Sequence, residues 1–353
     1  MTTKSKDVVL LCNPRAGGRW RALADVLDSP EAKLARRIVT DEIDDIQRAI
    51  ADVGQRIKLL CVYGGDGTIQ RVIDDLLRPN GDPIETRHLP QLAILGGGTM
   101  NVTARWCGMR DEPGDNFRAV MRAYQADRLL YREVPLLAVT MGGKTRYGFT
   151  FGAGPLIRIL ERYESGQKGH LGAVALGLKS VATALIYPVG SYRAMLEEMN
   201  GTVTVDGERL PYDRYATLLA NVTGAVNPFV EPFVGERTRD SFHFLAYAVS
   251  SREFAGLAPM LARAKLPIDP AAVPAAILRP FDGARRLWRS VAGKEHLPAD
   301  PRYVNRPAQR LILESDERNV TIDGELVPLV DGRAEVALGP TVRLALCSPA
   351  DYD

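Results

Sequence analysis

The chain has 353 residues, more than one compact domain usually holds, and its 46% hydrophobic and 25% charged content supplies a sizeable core. Its 45 Lys and Arg against 43 Asp and Glu leave a net charge of +2. That excludes the global positive field of a nucleic-acid binder, so attraction to an anionic surface must come from local clusters.

Cys12, Cys61, Cys107 and Cys347 are scattered without CxxC spacing, which predicts reduced thiols and a cytoplasmic setting. Met1–Asp7 is short and polar, unlike a signal peptide. The nearest approach to a spanning segment, Ala173–Gly190, is interrupted by Lys179 and ended by Pro188. The expectation is a cytoplasmic protein whose membrane contact, if any, is peripheral and at the inner face.

The first third alternates strand and helix signals. Val8–Cys12 is a continuous apolar run, the mark of a strand buried on both faces, and Asn13-Pro14-Arg15-Ala16-Gly17-Gly18 breaks it. A second short strand at Ile38–Val39 precedes Ile43, Ile46, Ile50 and Val53 at helical spacing, with Asp41 as N-cap. Lys58–Tyr63 is another buried strand, leading into Gly64-Gly65-Asp66-Gly67-Thr68. Ile69, Val72, Ile73, Leu76 and Leu77 then form one apolar helix face. Leu92–Leu95 runs into Gly96-Gly97-Gly98-Thr99-Met100-Asn101. Such units predict a mostly parallel sheet flanked by helices.

After Tyr131 the texture changes. Val, Thr and Tyr runs are separated by Gly142-Gly143, Asp206-Gly207 and Asp323-Gly324, which read as hairpin turns in a mainly antiparallel region. A helix is expected over Leu171–Tyr187, and helical pieces and loops over the Pro-, Ala- and Arg-rich stretch Ala258–Pro301. Gly142-Gly143-Lys144-Thr145 imitates a phosphate loop, but Ala138 stands where that motif needs glycine and a strand pattern follows. It is a hairpin turn.

The strongest chemical signal is Gly64–Thr68 between a buried strand and a helix. Glycines let backbone N–H groups approach phosphate oxygens, and the helix N-terminus adds partial positive charge. Asp66 can hold Mg²⁺ and Thr68 can donate to phosphate. The plain alternative is a tight turn. Against it, a parallel sheet brings Asn13, Gly64–Thr68 and Gly96–Thr99 out at one edge, where ligands bind. His88, His170, His243 and His296 have no metal-ligand spacing.

Taken in order, Asn13-Pro14 with Ala16-Gly17, Gly64-Gly65-Asp66-Gly67-Thr68 and Gly98-Thr99-Met100-Asn101 resemble the motifs of the diacylglycerol kinase catalytic-domain family, which includes sphingosine and ceramide kinases and bacterial soluble lipid kinases. The resemblance implies a nucleotide-binding α/β domain, similar to NAD kinase and diacylglycerol kinases, over residues 1–130. An antiparallel β-sandwich-like domain over 131–353 would contribute the acceptor site and a catalytic carboxylate, its last strand able to pack back on the first domain. It also implies ATP and Mg²⁺, a lipid substrate, and nucleotide contacts from Asn13, Thr40, Gly64, Gly65, Asp66, Gly67, Thr68, Gly97, Gly98, Thr99 and Asn101. For Thr40 a helix N-cap role competes.

Phosphoryl transfer to a hydroxyl needs positioning, charge neutralisation and a proton acceptor. Asp206-Gly207-Glu208 and Asp323-Gly324-Glu325 are locally indistinguishable turns. By the resemblance, the second supplies the base, Glu325, assisted by Asp323. Gln70 and Arg71 stand where the family often has Asn and Glu, and Val102 where it often has Asp. Asp240 falls where bacterial members hold a structural Mg²⁺, with Ser241 in place of the expected Gly, which weighs against that site. Arg279, Arg285, Arg286, Arg289 and Lys294 surround Phe281, Leu287 and Trp288, a face suited either to an anionic membrane or to packing within the fold. Beside a diacylglycerol-like acceptor, the alternatives are a sphingoid-base, ceramide or other polyol-lipid kinase, NAD kinase, and a nucleotide-binding regulator without catalysis.

Overall fold

The computed structural model describes residues 7–15, 20–40, 57–77, 89–98, 101–155, 197–224, 232–251, 253–254 and 300–352. The expected helices over Ile43–Val53 and Leu171–Tyr187, the basic segment 279–294, and Thr99 lie outside them.

Four parallel strands form the N-terminal part: β1 (Val8–Cys12), β2 (Arg36–Val39), β3 (Leu59–Tyr63) and β4 (Gln91–Ile94), in the order β4-β3-β1-β2. The continuous apolar runs of β1 and β3 are buried along their whole length, as strands covered on both faces require. Helix α1 (Trp20–Asp28) follows β1, α2 (Asp66–Leu77) follows β3, and α3 (Val102–Trp106) and α4 (Pro113–Gln125) follow β4. The α2 face foreseen from its spacing is buried through Ile69, Val72, Ile73, Leu76 and Leu77. Neither α1 nor α4 is among the predicted elements, although α4 buries Phe117, Val120 and Met121 at helical spacing and starts on Pro113. Arg118 of α4 reaches Asp25 of α1 at 3.2 Å.

The remaining strands are β5 (Leu130–Met141), β6 (Lys144–Gly148), β7 (Thr150–Ala153), β8 (Met199–Val205), β9 (Glu208–Arg209), β10 (Arg214–Tyr215), β11 (Thr217–Asn221), β12 (Phe242–Tyr247), β13 (Tyr303–Ala308), β14 (Arg310–Ser315), β15 (Asn319–Ile322), β16 (Glu325–Pro328) and β17 (Arg333–Leu346). All three foreseen turns close hairpins, with positive φ at both central residues: 52° and 72° at Gly142-Gly143, 55° and 87° at Asp206-Gly207, 51° and 87° at Asp323-Gly324. That geometry suits the twist of the flanking strands.

The layering differs from a separate β-sandwich. One mixed sheet of eleven strands runs β10-β8-β14-β17-β4-β3-β1-β2, with β5 on β17, β6 on β5 and β9 on β8. A second, antiparallel sheet of six strands runs β13-β12-β11-β7-β15-β16. The long strand β17 causes the difference. It pairs antiparallel with β14 and β5, and through Arg343 and Leu344 runs parallel to Gln91 and Leu92 of β4. Its register against β5 shifts between Leu338 and Thr341, at Gly339-Pro340, where proline has no N–H to give the ladder. One hydrophobic core extends from β1 and β3 through β17 into both sheets. Among the described residues, no helix is long and apolar enough to cross a membrane. The four cysteines are buried free thiols.

Leu344 is fully buried where β17 meets β4, while Leu130 on β5 is 64% exposed. Leu344→Ala is expected to lower the unfolding free energy by about 2–5 kcal/mol. Leu130→Ala is expected to change it by no more than ~0.5 kcal/mol. Urea denaturation of the two variants checks both.

Candidate active site

The loops after the parallel strands are tied side by side. Asn13 N donates to Tyr63 O at 2.9 Å, Thr40 N to Cys12 O at 2.9 Å, and Gly97 N to Gly64 O at 2.9 Å. Thr40 is buried, and its hydroxyl reaches Cys12 O at 3.3 Å. Asn13 Nδ2 donates to Thr68 Oγ1 at 2.9 Å. The hydroxyl oxygen of Thr68 is thus an acceptor within the protein, and its proton is left to donate. Asn101, in the left-handed region at φ 51°, accepts from Gly98 N through Oδ1 at 2.8 Å and so braces its own glycine loop. A Cβ on Gly98 would lie 2.5 Å from the Gly65 Cα, so the two glycine loops touch backbone to backbone. Just before the second loop, the buried Asn116 fixes the exit of β4. Its Nδ2 donates to Leu95 O at 2.9 Å, and its Oδ1 accepts from Arg110 N at 2.8 Å and Tyr352 O–H at 2.6 Å.

The long-range contact is at Gly67. A Cβ there would collide with the carboxylate of Glu325, which occupies the space a side chain would fill on the first turn of α2. Thus the first glycine loop and the second Asp-Gly-Glu triplet, far apart in sequence, meet in space. Asp323 holds the hairpin in place. Its Oδ1 accepts from Phe149 N at 2.9 Å and Thr150 N at 2.8 Å, while its own N–H donates to Thr150 O at 2.9 Å. A second tie lies further along α2, where Asp74 Oδ1 accepts from Tyr147 N at 3.0 Å.

Burial above all, with a smaller push from the negative charges of Asp66 and Asp74, raises the Asp323 carboxyl to about 7. The N–H groups of Phe149 and Thr150 pull the other way without cancelling the rise. Acidic groups are therefore concentrated around the start of α2, where the helix N-terminus offers partial positive charge to phosphate. Asp66, in that first turn, carries a carboxylate that could hold Mg²⁺. Among the described residues no three His, Cys, Asp or Glu side chains form a metal cage.

Other sequence candidates fall elsewhere. Asp206 accepts from Gln309 N and Arg310 N at 2.8 and 2.9 Å, so the first triplet is a structural turn between β8 and β9. Asp240 is exposed in the turn before β12, where Ser241 Oγ accepts from Thr238 N at 2.8 Å. Arg71 pairs with Asp75 at 2.8 Å along α2. Sequence reasoning missed Asp74, whose signal is its position two helical turns beyond Gly67. It also missed Asn221, which donates to Thr150 Oγ1 at 2.7 Å and had no local signal.

Residues 7–128 match the family model of the diacylglycerol kinase catalytic domain. The whole chain is similar in fold to a solved candidate diacylglycerol kinase from Bacillus anthracis str. Sterne, with TM-score 0.59, 17% identity and 99% of each chain covered. A structure described as a diacylglycerol kinase from the same organism gives TM-score 0.54 at 15% identity, again covering 99% of each chain. None of the curated proteins matches this chain.

Because the folded carboxyl of Asp323 titrates near 7, well above the ordinary 3.8, the folded state holds a proton that the unfolded chain releases at lower pH. The stabilisation tied to that proton is complete at the acid end and is lost as pH rises through about 7. Asp323→Asn carries no titrating proton and keeps an oxygen for the two N–H groups. Melting temperatures are therefore expected to favour the unmodified protein most near pH 5, with the gap narrowing or reversing by pH 8. A gap independent of pH would show that Asp323 does not titrate in this range.

Proposed function

We propose that this chain, whose residues 7–128 match the diacylglycerol kinase catalytic-domain family model, is an ATP-dependent lipid kinase with a diacylglycerol-like alcohol as acceptor. The observation that carries the reading is the seating of the Glu325 carboxylate against Gly67, on the loop built to hold phosphates. A proton acceptor and a phosphate cradle are then neighbours, which is what phosphoryl transfer to a hydroxyl requires.

In this reading the backbone N–H groups of Gly64–Thr68 and Gly97-Gly98 position the nucleotide phosphates, with the Thr68 hydroxyl as a further donor. Asn13 orients Thr68, and Asn101 keeps the second loop in shape. Thr40 and Thr99 complete the nucleotide contacts by resemblance to the family. Asp66 would hold Mg²⁺, which supplies charge neutralisation on the phosphates. Glu325 takes the proton from the acceptor hydroxyl. Asp323 assists by fixing the turn that carries Glu325. The acidic residues often found in the family at positions 71 and 102 are absent, so Asp66 and Glu325 carry the charge chemistry.

The test is transfer of labelled γ-phosphate from ATP to a panel of lipids in micelles, with NAD as a parallel acceptor. Labelled lipid is expected from the unmodified protein. Glu325→Gln should lower kcat by about 10²–10⁴-fold with ATP affinity unchanged. Full activity in Asp66→Ala would sink the proposal, and labelled NADP in place of lipid would redirect it to NAD kinase.

A further inference from the structure

Beyond Leu346 the chain leaves β17 and folds against the region that follows β4. Cys347 N donates to Cys107 O at 3.0 Å, and a Cβ on Gly108 would collide with Cys347 O, so the two backbones touch. Pro349–Asp351 then form a single 3-10 turn. A capping box closes its start, with Ser348 N and Ser348 Oγ donating to Asp351 Oδ2 at 2.7 and 2.8 Å. The turn delivers Tyr352 to the exit of β4, where the guanidinium carbon of Arg110 lies 3.9 Å from the centre of its ring.

The Tyr352 hydroxyl has one proton and two oxygen acceptors in reach among the described residues, Asn116 Oδ1 at 2.6 Å and Gly108 O at 3.4 Å. The shorter bond takes it. The hydroxyl oxygen in turn accepts from Arg110 N at 3.2 Å. Asn116 is fully buried and uses all four of its hydrogen-bonding positions. Its Oδ1 accepts from Arg110 N and Tyr352 O–H, and its Nδ2 donates to Arg110 O at 2.8 Å and to Leu95 O at 2.9 Å. Leu95 is the last residue before the second glycine loop, and its own N–H goes to Val62 O on β3 at 2.9 Å. A peptide unit is a rigid plane, so holding the Leu95 carbonyl also sets the direction of the Gly96 N–H. Gly96 then turns the chain at φ 80°, and Gly97 N donates to Gly64 O at 2.9 Å. A chain of hydrogen bonds thus runs from Tyr352 through Asn116 to the backbone that presents Gly97 and Gly98.

We propose that Tyr352 is a positioning residue for the second glycine loop, acting through Asn116, so that the segment after β17 tunes nucleotide affinity. Tyr352 itself need not touch the nucleotide. Its donation to Oδ1 polarises the Asn116 amide and strengthens the bond that Nδ2 gives to Leu95. With the hydroxyl removed, Asn116 keeps only Arg110 N on its oxygen. The Leu95–Gly96 peptide then gains freedom that nucleotide binding has to take back. The effect on ATP rests on the proposed kinase function, whereas the effect on the loop backbone does not. Glu325 and the β15–β16 hairpin have no share in this chain of bonds, so the KM for lipid stays as it is.

Tyr352→Phe keeps the ring beside Arg110 and removes only the hydroxyl, so it tests the bond with little risk to folding. Hydrogen exchange of residues 95–98, read on the full-length protein without nucleotide, is expected to quicken about fivefold, the worth of one net hydrogen bond. The KM for ATP should rise about two- to fivefold with kcat and the KM for lipid nearly unchanged, and calorimetry should show the same weakening of ATP binding. Asn116→Ala should exceed Tyr352→Phe in both readouts. Tyr303→Phe is the matched control. It also removes a 2.6 Å hydroxyl bond, to Glu253 beside the second sheet, and should lower the melting temperature without altering loop exchange or ATP affinity. Unaltered exchange at residues 95–98 in folded Tyr352→Phe, or faster exchange with unaltered ATP affinity, overturns the proposal. So does an equal response in Tyr303→Phe, which would mark a general loss of stability. If the unmodified protein neither binds ATP nor transfers its phosphate, the kinase reading fails, and exchange still decides the tie between Tyr352 and the loop.

Discussion

The absence of a side chain at one position of α2 leaves the room that the Glu325 carboxylate fills. Gly67 lets the Glu325 carboxylate press against the helix backbone, and a side chain there would displace that carboxylate from the loop. The hairpin cannot slide in compensation, because Asp323 is bonded to Phe149 and Thr150 and β15 is paired to β7. Nor can the helix, because Asp74 is bonded to Tyr147 on β6. Seven residues separate Gly67 from Asp74, about 10 Å of helix rise, so α2 is gripped at two points on one face. Two fixed points define a line, and this is how two segments distant in sequence keep a working geometry.

That grip draws carboxylates together at a cost. Burial first, and then the charges of Asp66 and Asp74, raise the pKa of Asp323, the most enclosed of the three. Like charges gathered beside the loop proposed to hold phosphates make sense if a cation is part of the working state. The helix N-terminus alone carries only about half a unit of positive charge.

Local chemistry was legible in the sequence, and pairing at a distance was not. The glycine loops, the buried runs of β1 and β3, the apolar face of α2 and the three hairpin turns each rest on residues within one short window. The two Asp-Gly-Glu triplets show the limit. Both form turns of the same type, and both aspartates accept backbone N–H bonds from a neighbouring strand. What separates them is the company: Gln309 and Arg310 for Asp206, Phe149 and Thr150 beside α2 for Asp323. Only the resemblance chose between them. The division of the β half into two sheets was equally hidden, since a strand's apolar alternation does not say which edge it joins. Helix α4 was a different kind of miss, its signal being local but diluted by Gly114, Asp115 and Asn116 in the first turns.

The place of β17 has a consequence for how the protein comes into being on the ribosome. The parallel strands β1 to β4 are made early, yet one edge of β4 receives its partner only when Arg343 and Leu344 have been synthesised. Until then the nascent chain carries a bare strand edge, open to pairing with another chain. Pairing at so great a sequence separation is also slow. The interval between emergence of β4 and arrival of β17 is therefore when newly made chains are most exposed to aggregation, and chaperone demand should concentrate there.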